Sequence, residues 1–277
     1  MNIRIKLVAC LVLVALLLAS LMMGVAAQEE SILDGIIKRG SVRVAMILTN
    51  HPLGFRNDKG EPDGYEVEIA KLLAEKLGVK LEIVEVSGPT RISALLANKA
   101  DIVLAGLTRT LERAKSVAFM EIPYYMSGIR YVVRPDSPYK TVEELQAAKD
   151  KVKVGTDRGG TGSIMTAKLF PNAQVQLFEA VADQYLALTR GVVDFVSNDA
   201  KKAVVQERQF PDKYRNLPGI FGTEELGAAV AYGDFKWWHW CNLFFHEFNS
   251  MGDNSRLYQK WYEETPEQLL PWTEIKR

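Results

Sequence analysis

The stretch Asp101-Ile-Val-Leu-Ala-Gly-Leu-Thr-Arg-Thr-Leu-Glu-Arg113 contains the pattern on which the fold of this 277-residue chain depends. Its apolar start, Ile102 to Leu104, predicts a short buried strand that runs out into small residues. A strand that ends in free amides, a hydroxyl and an arginine is typical of an edge that binds a carboxylate. The amides and the hydroxyl donate to the anion, and the planar guanidinium matches its two oxygens. The positions concerned are Ala105, Gly106, Thr108 and Arg113.

Strand-like and amphipathic segments alternate on both sides of this stretch. Val42 to Ile47 and Lys80 to Val86 predict strands, and Tyr65 to Leu77 predicts a helix because its apolar residues recur at helical spacing. The same order returns in the second half of the chain, with predicted strands at Val152 to Gly155 and Val192 to Val196. This alternation predicts an α/β fold with mostly parallel sheets.

Two β-rich connectors, near residues 130 and 229, separate the halves of this pattern. The simplest architecture is two lobes joined by two crossing strands, with lobe 1 formed by residues 28–132 and 230–277 and lobe 2 by residues 133–229. Ligands of open α/β sheets bind beyond the carboxyl ends of strands. We therefore expect the strand ends of both lobes to face one cleft.

The first 27 residues predict a secretory signal peptide. Arg4 and Lys6 precede the apolar run Leu7 to Met23, and Val25-Ala-Ala27 offers a small-residue cleavage site. An uncleaved anchor is the alternative, because the run is near the length that spans a bilayer. The mature protein is expected to be periplasmic.

Composition excludes several functional classes. The chain has 34 basic and 34 acidic residues, and removing Arg4 and Lys6 leaves 32 basic against 34 acidic, so nothing predicts nucleic-acid binding. Cys10 lies in the predicted signal peptide, which leaves Cys241 without an internal disulfide partner and predicts a buried, inert thiol. The three histidines lack metal-site spacing, and we predict neither a metal nor a cofactor.

Opposite charges stand at two of the predicted strand ends. Arg113 could bind an anion, and Asp199 could bind a cation from the other lobe, which together match the zwitterion of an α-amino acid. Arg113 could instead pair with a neighbour on its helix, and Asp199 could cap the helix that begins near Ala200. The strand ends that supply these and other polar groups are Ile47 to Asn50, Ala105 to Arg113, Gly159 to Thr161 and Ser197 to Asp199.

Several segments, in this order, resemble one protein family. They are Ile36-Ile-Lys-Arg-Gly-Ser-Val-Arg-Val44, Lys59-Gly-Glu-Pro-Asp-Gly-Tyr-Glu-Val67, Arg91-Ile-Ser-Ala-Leu-Leu-Ala-Asn-Lys-Ala-Asp101, Leu107-Thr-Arg-Thr-Leu-Glu-Arg-Ala-Lys115, Ala118-Phe-Met-Glu-Ile-Pro-Tyr124 and Arg190-Gly-Val-Val-Asp194. The family is the bacterial extracellular solute-binding proteins, family 3, which bind polar amino acids. The resemblance implies a two-lobed, periplasmic-binding-protein-like fold of type II, with hinge strands between the lobes.

The resemblance also implies roles for particular residues. Arg113 would clamp the α-carboxylate of the ligand and Asp199 would accept its α-ammonium, while the turn at Gly159 to Thr161 would donate amides and a hydroxyl from lobe 2. The candidate ligand-binding residues are Arg113, Asp199, Thr108, Gly106, Ala105, Arg91, Gly160, Thr161, Ile47 and Asn50.

Two positions bear on the side chain of the ligand. Ile47 is neutral where relatives for basic amino acids have an acidic residue, and Arg91 stands where dicarboxylate-binding relatives place a second arginine. Arg91 could also be a structural residue. Together the two positions favour a polar or acidic amino acid.

The function implied is that of a monomeric periplasmic protein, not an enzyme, that captures a free L-amino acid for the permease of an ABC importer by hinge closure. The alternative is an enzyme similar to cyclohexadienyl or arogenate dehydratases, which share this architecture. It would need a general acid in the cleft, for which Asp157 and Glu179 are the candidates. A freestanding sensor is a third hypothesis.

Overall fold

Two separate sheets with helices packed against them form the frame of the protein in a computed structural model that describes residues 30–148 and 152–263. The predicted signal peptide and residues 264–277 of the predicted lobe 1 lie outside the described residues. Among the helices that the structure describes, none has both the length and the apolar character needed to cross a bilayer.

The first sheet has the strand order β5-β1-β6-β14-β7. Its strands are β1 (Ser41–Met46), β5 (Lys80–Glu85), β6 (Ile102–Val103), β7 (Ala118–Phe119) and β14 (Ala229–Val230). The helices on this side are α1 (Ile32–Arg39), α2 (Tyr65–Leu77), α3 (Arg91–Leu96), α8 (Phe235–Ser250) and α9 (Asp253–Tyr262). A small third sheet beside it consists of β2 (Thr49–Asn50), β3 (Gly54–Arg56) and β4 (Pro62–Asp63).

The second sheet has the order β10-β9-β11-β8-β12, and β13 also pairs with β8. Its strands are β8 (Tyr125–Val133), β9 (Lys153–Asp157), β10 (Gln174–Phe178), β11 (Phe195–Asp199), β12 (Arg215–Asn216) and β13 (Phe221–Leu226). The helices on this side are α4 (Val142–Gln146), α5 (Thr161–Leu169), α6 (Val181–Thr189) and α7 (Ala200–Gln209).

The α/β prediction is confirmed, but both sheets are mixed rather than mostly parallel. In the first sheet β1 is parallel to β5 and β6, whereas β14 is antiparallel to β6 and β7. In the second sheet β9 is parallel to β10 and β11, whereas β8 is antiparallel to β11, β12 and β13. The antiparallel strands β8 and β14 each follow a crossing between the sheets and run back against the parallel set.

The chain crosses from the first sheet to the second between Phe119 and Tyr125, and it returns between Leu226 and Ala229. All of β8 therefore pairs in the second sheet, although the sequence-based limit of lobe 1 was residue 132. The limits 28–132, 133–229 and 230–277 remain a prediction about lobes. The strand pairing also shows that the two crossings lie next to each other at the junction of the two sheets.

Aromatic side chains fill the core of the first sheet side. Trp237 of α8 is buried, donates its indole N–H to the Asp101 carbonyl at 2.9 Å and stacks on Trp240. Cys241 is buried in the same cluster, as predicted, and burial raises the pKa of its thiol well above the ordinary value. These contacts hold α8 against the sheet and leave the cysteine inert.

Helix α2 begins against the loop that precedes β3. The amides of Tyr65 and Glu66 donate to the carbonyls of Pro52 and Leu53 at 3.0 and 2.8 Å, which satisfies two of the four free amides of a helix start. Gly64 before them has φ +123°, and a Cβ there would lie 2.6 Å from the Leu53 carbonyl oxygen. This close approach fixes the first turn of α2 and turns the side chain of Glu66 inward, where it is buried.

Candidate functional site

A small polar cavity lies between the two sheets, where their strand ends meet. Its volume is about 60 Å³, well below the roughly 300–1,000 Å³ of pockets that hold drug-sized ligands. Eight of the ten residues predicted for ligand binding line it, while Ala105 and Arg113 lie beside it. The eight are Ile47, Asn50, Arg91, Gly106, Thr108, Gly160, Thr161 and Asp199.

The two arginines hold backbone carbonyls. Arg91 is buried and donates to the carbonyls of Ala105 at 2.7 Å, Gly106 at 3.0 Å and Gly159 at 3.1 Å. Arg113 donates to the carbonyls of Thr108 at 2.7 Å and Gly159 at 2.8 Å. The Gly159 carbonyl, which comes from the second sheet side, thus lies between two guanidinium groups from the first.

Both guanidinium groups remain cations despite this setting. Burial, followed by the charge of Arg91, lowers the pKa of Arg113 to about 10, while Glu224 and Asp157 act in the opposite direction. Burial also lowers the pKa of Arg91, against the charges of Asp157 and Glu66. Two adjacent cations that remain charged at neutral pH provide a strongly positive wall. Arg113 lies in a short 3₁₀ turn, Arg113–Lys115, instead of the predicted helix.

Asp199 is the N-cap of α7. One carboxylate oxygen accepts the amides of Lys201 at 3.1 Å and Lys202 at 3.0 Å and the hydroxyl of Tyr125 at 2.6 Å. The capping role that the sequence left open is therefore present, and the residue also lines the cavity. These donors stabilise the carboxylate as an anion at the end of β11.

Glu66 is a buried site residue that the sequence analysis did not select. Its carboxylate accepts the Gly106 amide at 2.7 Å and the Tyr124 hydroxyl at 2.5 Å. Burial raises its pKa, and hydrogen bonds from Tyr124 and Gly106 oppose that effect. The Gly106 amide, predicted to be free for a ligand, is therefore already bound. On the sequence, a glutamate in the first turn of a helix is ordinarily a solvent-exposed residue.

Glu224 of β13 is a second residue that the sequence analysis missed. Its carboxylate accepts hydrogen bonds from the hydroxyls of Thr108, at 3.4 Å, and of Thr161, and the two hydroxyls are 3.2 Å apart. It is only 8% exposed, and burial, followed by the charge of Asp199, raises its pKa to about 7. No motif surrounds it, and its selection would have required knowing that β13 ends beside the cavity.

Two more charged groups complete the walls. Lys202 of α7 donates to the side-chain oxygen of Asn50 at 3.0 Å, which joins the two sheet sides across the cavity. At the rim, Arg158 and Glu179 form an ion pair at 2.6 Å, and both are about half exposed. Asp157, the other acid considered for catalysis, lies against the backbone of Gly160.

The arrangement can hold a small molecule that carries both charges. Cations and carboxylates line one enclosed space, with hydroxyls and amides between them, and desolvation strengthens each contact that a ligand makes there. Within residues 30–148 and 152–263, no cluster of His, Cys, Asp or Glu side chains could hold a metal ion.

Comparison with known proteins gives the same picture. Residues 42–264 match the family model described as bacterial extracellular solute-binding proteins, family 3. The ABC transporter glutamine-binding protein GlnH of Bacillus subtilis is 31% identical over 218 residues, which are 77% of this chain and 78% of the relative. The cyclohexadienyl dehydratase of Pseudomonas aeruginosa is 28% identical over 186 residues, covering 66% of this chain and 68% of the enzyme.

Solved structures agree with the fold. The crystal structure of a mutant of ArgBP from T. maritima superposes with a TM-score of 0.77 at 32% identity, covering 84% of this chain and 99% of that protein. Family, relatives and fold all point to capture of an amino acid. This chain belongs to the bacterial extracellular solute-binding proteins of family 3, and it is an amino-acid-binding protein of ABC transporters.

Proposed function

We propose that the protein captures one L-amino acid in the periplasm and presents it to the permease of an ABC importer by closing two lobes about the crossings next to β8 and β14. The observation that carries this proposal is the set of contacts across the cavity. Lys202 bonds Asn50, and Arg91 and Arg113 both bond the Gly159 carbonyl. Such contacts form only when the two sides are together, so a ligand that fills the space between them favours closure.

The proposed roles follow the charges of the walls. The ligand carboxylate binds near Arg113, and the ammonium binds near Asp199. Arg113 would exchange the Gly159 carbonyl for the stronger acceptor, because a charge-assisted bond is about twice as strong as a neutral one. The same proposal includes lobe limits at 132/133 and 229/230, a cleaved signal peptide and a monomeric state.

The relatives include proteins named for glutamine and for arginine, which supports a polar ligand for this chain. An acidic ligand was favoured in the sequence because of Arg91, but the guanidinium of Arg91 donates to three backbone carbonyls. A ligand carboxylate would have to compete with all three. A polar side chain that is not acidic is therefore the better match to this cleft.

The test is a thermal-shift and calorimetry screen of the ligand-stripped protein against the twenty L-amino acids. A ligand at 100 times its Kd stabilises the native state by about 2.7 kcal/mol. Arg113→Ala should weaken binding by about 10- to 100-fold, the value of one charge-assisted hydrogen bond. Arg109→Ala is the matched control, because Arg109 pairs with Glu225 at 2.8 Å and does not line the cavity. Absence of any binding tighter than millimolar would refute the proposal.

A second function, a dehydratase-like enzyme, is favoured by Glu224. A buried carboxyl group with a pKa of about 7 is partly protonated at neutral pH and can act as a general acid. It suits this role better than Glu179, which is paired with Arg158. An assay with prephenate and arogenate decides: turnover that Glu224→Gln abolishes would establish the enzyme, and no turnover alongside tight amino-acid binding would eliminate it.

A further inference from the structure

The walls of the cavity carry an excess of negative charge. With Glu224 ionised and the ion pair at the rim set aside, the carboxylates of Asp157, Asp199 and Glu224 line the cavity against the cations Arg91 and Lys202. The groups just outside, Glu66 and Arg113, add one charge of each sign and leave the balance negative. A zwitterionic ligand backbone does not change this balance, whereas a ligand with one extra positive charge neutralises it.

None of the three carboxylates forms an ion pair among the residues that the structure describes, and they differ in how many hydrogen-bond donors they have. Asp199 accepts from two amides at the start of α7 and from the hydroxyl of Tyr125 in β8. Glu224 has two neutral hydroxyls, and no basic group lies within 4 Å of it among the residues that the structure describes. Asp157 makes no side-chain hydrogen bond or ion pair within the described ranges. The cost of an unpaired charge is greatest for Glu224, which is buried and whose hydration two hydroxyls replace only in part, whereas Asp157 is half-buried.

The cations nearby are committed to other partners. Arg91 donates to backbone carbonyls, and Lys202 donates to Asn50. Asp157 and Glu224 flank the same turn: Asp157 lies against Gly160, and Glu224 accepts the hydroxyl of Thr161. Their charges also act on one another, because Asp157 is among the groups that raise the pKa of Glu224. One cation placed at this turn could reach both.

We propose that Asp157 and Glu224 form a subsite for a cation on the ligand side chain, a guanidinium or an ammonium group. This inference rests on the proposed function and names its substrate class: a basic L-amino acid. Relatives for basic amino acids have an acidic residue at the position of Ile47. In this chain, two carboxylates from the second sheet side would take the place of that residue. A dicarboxylate ligand would instead bring a like charge beside both, so glutamate and aspartate are excluded by repulsion.

The first test compares ligands of similar shape and different charge. Calorimetry of the ligand-stripped protein at pH 7.5 would use L-arginine and L-lysine, with L-citrulline as the uncharged isostere of arginine, and L-glutamine and L-glutamate as further probes. We expect at least one of the two basic amino acids to bind about 10-fold or more tightly than citrulline and glutamine, the factor given by one charge-assisted bond. Glutamate should bind most weakly. Equal or tighter binding of citrulline, glutamine or glutamate would overturn the subsite.

The second test removes each charge without changing shape. Glu224→Gln and Asp157→Asn should each weaken binding of the basic amino acid by about 10-fold and change citrulline binding by less than about 3-fold. Glu179→Gln is the matched control, because this glutamate also lines the cavity but is paired with Arg158. Circular dichroism melts would show that the variants are folded. Unchanged affinity in both variants would refute the subsite, whereas a wild-type protein that binds no amino acid at all would refute the proposed function instead.

Discussion

The carboxyl group of Glu224 makes stability depend on pH in a way that one substitution can isolate. Its pKa is about 7 in the folded protein against an ordinary 4.5, so between these values the folded chain keeps a proton that the unfolded chain releases. Stability is therefore greatest at the acid end and falls as pH rises towards 7. The free energy of unfolding, from urea denaturation of ligand-free protein, should drop about 3 kcal/mol more in wild type than in Glu224→Gln between pH 4.5 and 8.

The difference in free energy of unfolding between the two proteins is the quantity to compare, because groups that do not interact with Glu224 titrate equally in both and cancel. Parallel curves for wild type and Glu224→Gln would show that the carboxyl group is not held in a desolvated site. A curve for wild type that rises with pH relative to the variant would show instead that a cation stabilises the carboxylate. That outcome would remove the unpaired state from which the cation subsite is inferred.

Single residues also show where sequence-based prediction ends. Thr108, Thr161 and Asp199 could be selected because each stands at a strand end, and strand ends of this fold class converge. Glu66 and Glu224 could not, because a glutamate in a first helical turn or in a short strand has the pattern of a solvent-exposed residue. What buries them is the approach of a distant segment: Gly106 and Tyr124 for Glu66, and Thr108 for Glu224.

Among the elements, the start of α2 depends on a glycine. Gly64 has φ +123°, and a Cβ there would meet the carbonyl oxygens of Leu53 at 2.6 Å and Pro52 at 2.9 Å. Gly64→Ala should lower the free energy of unfolding by about 3 kcal/mol, since both the dihedral and the clash involve rigid backbone. Ligand affinity should fall as well, because the same turn carries Glu66 to the Gly106 amide.

Gly60→Ala is the matched control for this prediction. Gly60 also has a positive φ, +77°, but a Cβ there would have no atom within 4 Å. Gly60→Ala should therefore lower the free energy of unfolding by only about 1 kcal/mol, the cost of the left-handed conformation. Ligand affinity should be unchanged. Equal destabilisation by the two alanines in urea denaturation would contradict the packing that we assign to Gly64.

Strand β11 shows why element boundaries shift. The sequence predicted a strand at Val192 to Val196 with its end at Ser197 to Asp199, but the strand is Phe195–Asp199 and every residue in it is buried. Its polar side chains have partners on neighbouring elements: Ser197 donates to Thr156 at 2.8 Å, and Asn198 donates to Tyr185 at 3.0 Å. Hydrogen bonding to residues far along the chain makes a polar central strand possible, and local sequence does not reveal it.

At the scale of the whole molecule, both charge walls of the cavity follow from how the two sheets meet. The first sheet side supplies Arg91 and Arg113 and the second supplies Asp157, Asp199 and Glu224, so neither side is a receptor alone. The alternation of strands and helices was enough to predict the α/β class and the convergence of strand ends. The contacts between the sides were not predictable, because each joins residues such as Asn50 and Lys202 whose patterns have no local relation.

The contact between Asn50 and Lys202 offers a measure of closure itself. Lys202 Nζ donates to Asn50 Oδ1 at 3.0 Å across the cavity, so the bond contributes only when the two sides are together. Asn50→Ala and Lys202→Met should each weaken binding of the tightest amino acid by about 10-fold, and the double variant should be little worse than either. The coupling energy expected from this cycle is about 1.5 kcal/mol, the value of a hydrogen bond to a charged group.

Small-angle scattering distinguishes closure from simple ligand contact. Saturating ligand should reduce the radius of gyration of the wild-type protein, because ligand shifts the population towards the state in which both sides touch it. At half-saturating ligand the single variants should show a smaller reduction than wild type, and raising the ligand concentration should restore the full contraction. Additive effects in the cycle, or a radius of gyration that does not respond to ligand, would show that the two sides are held together independently of what binds between them.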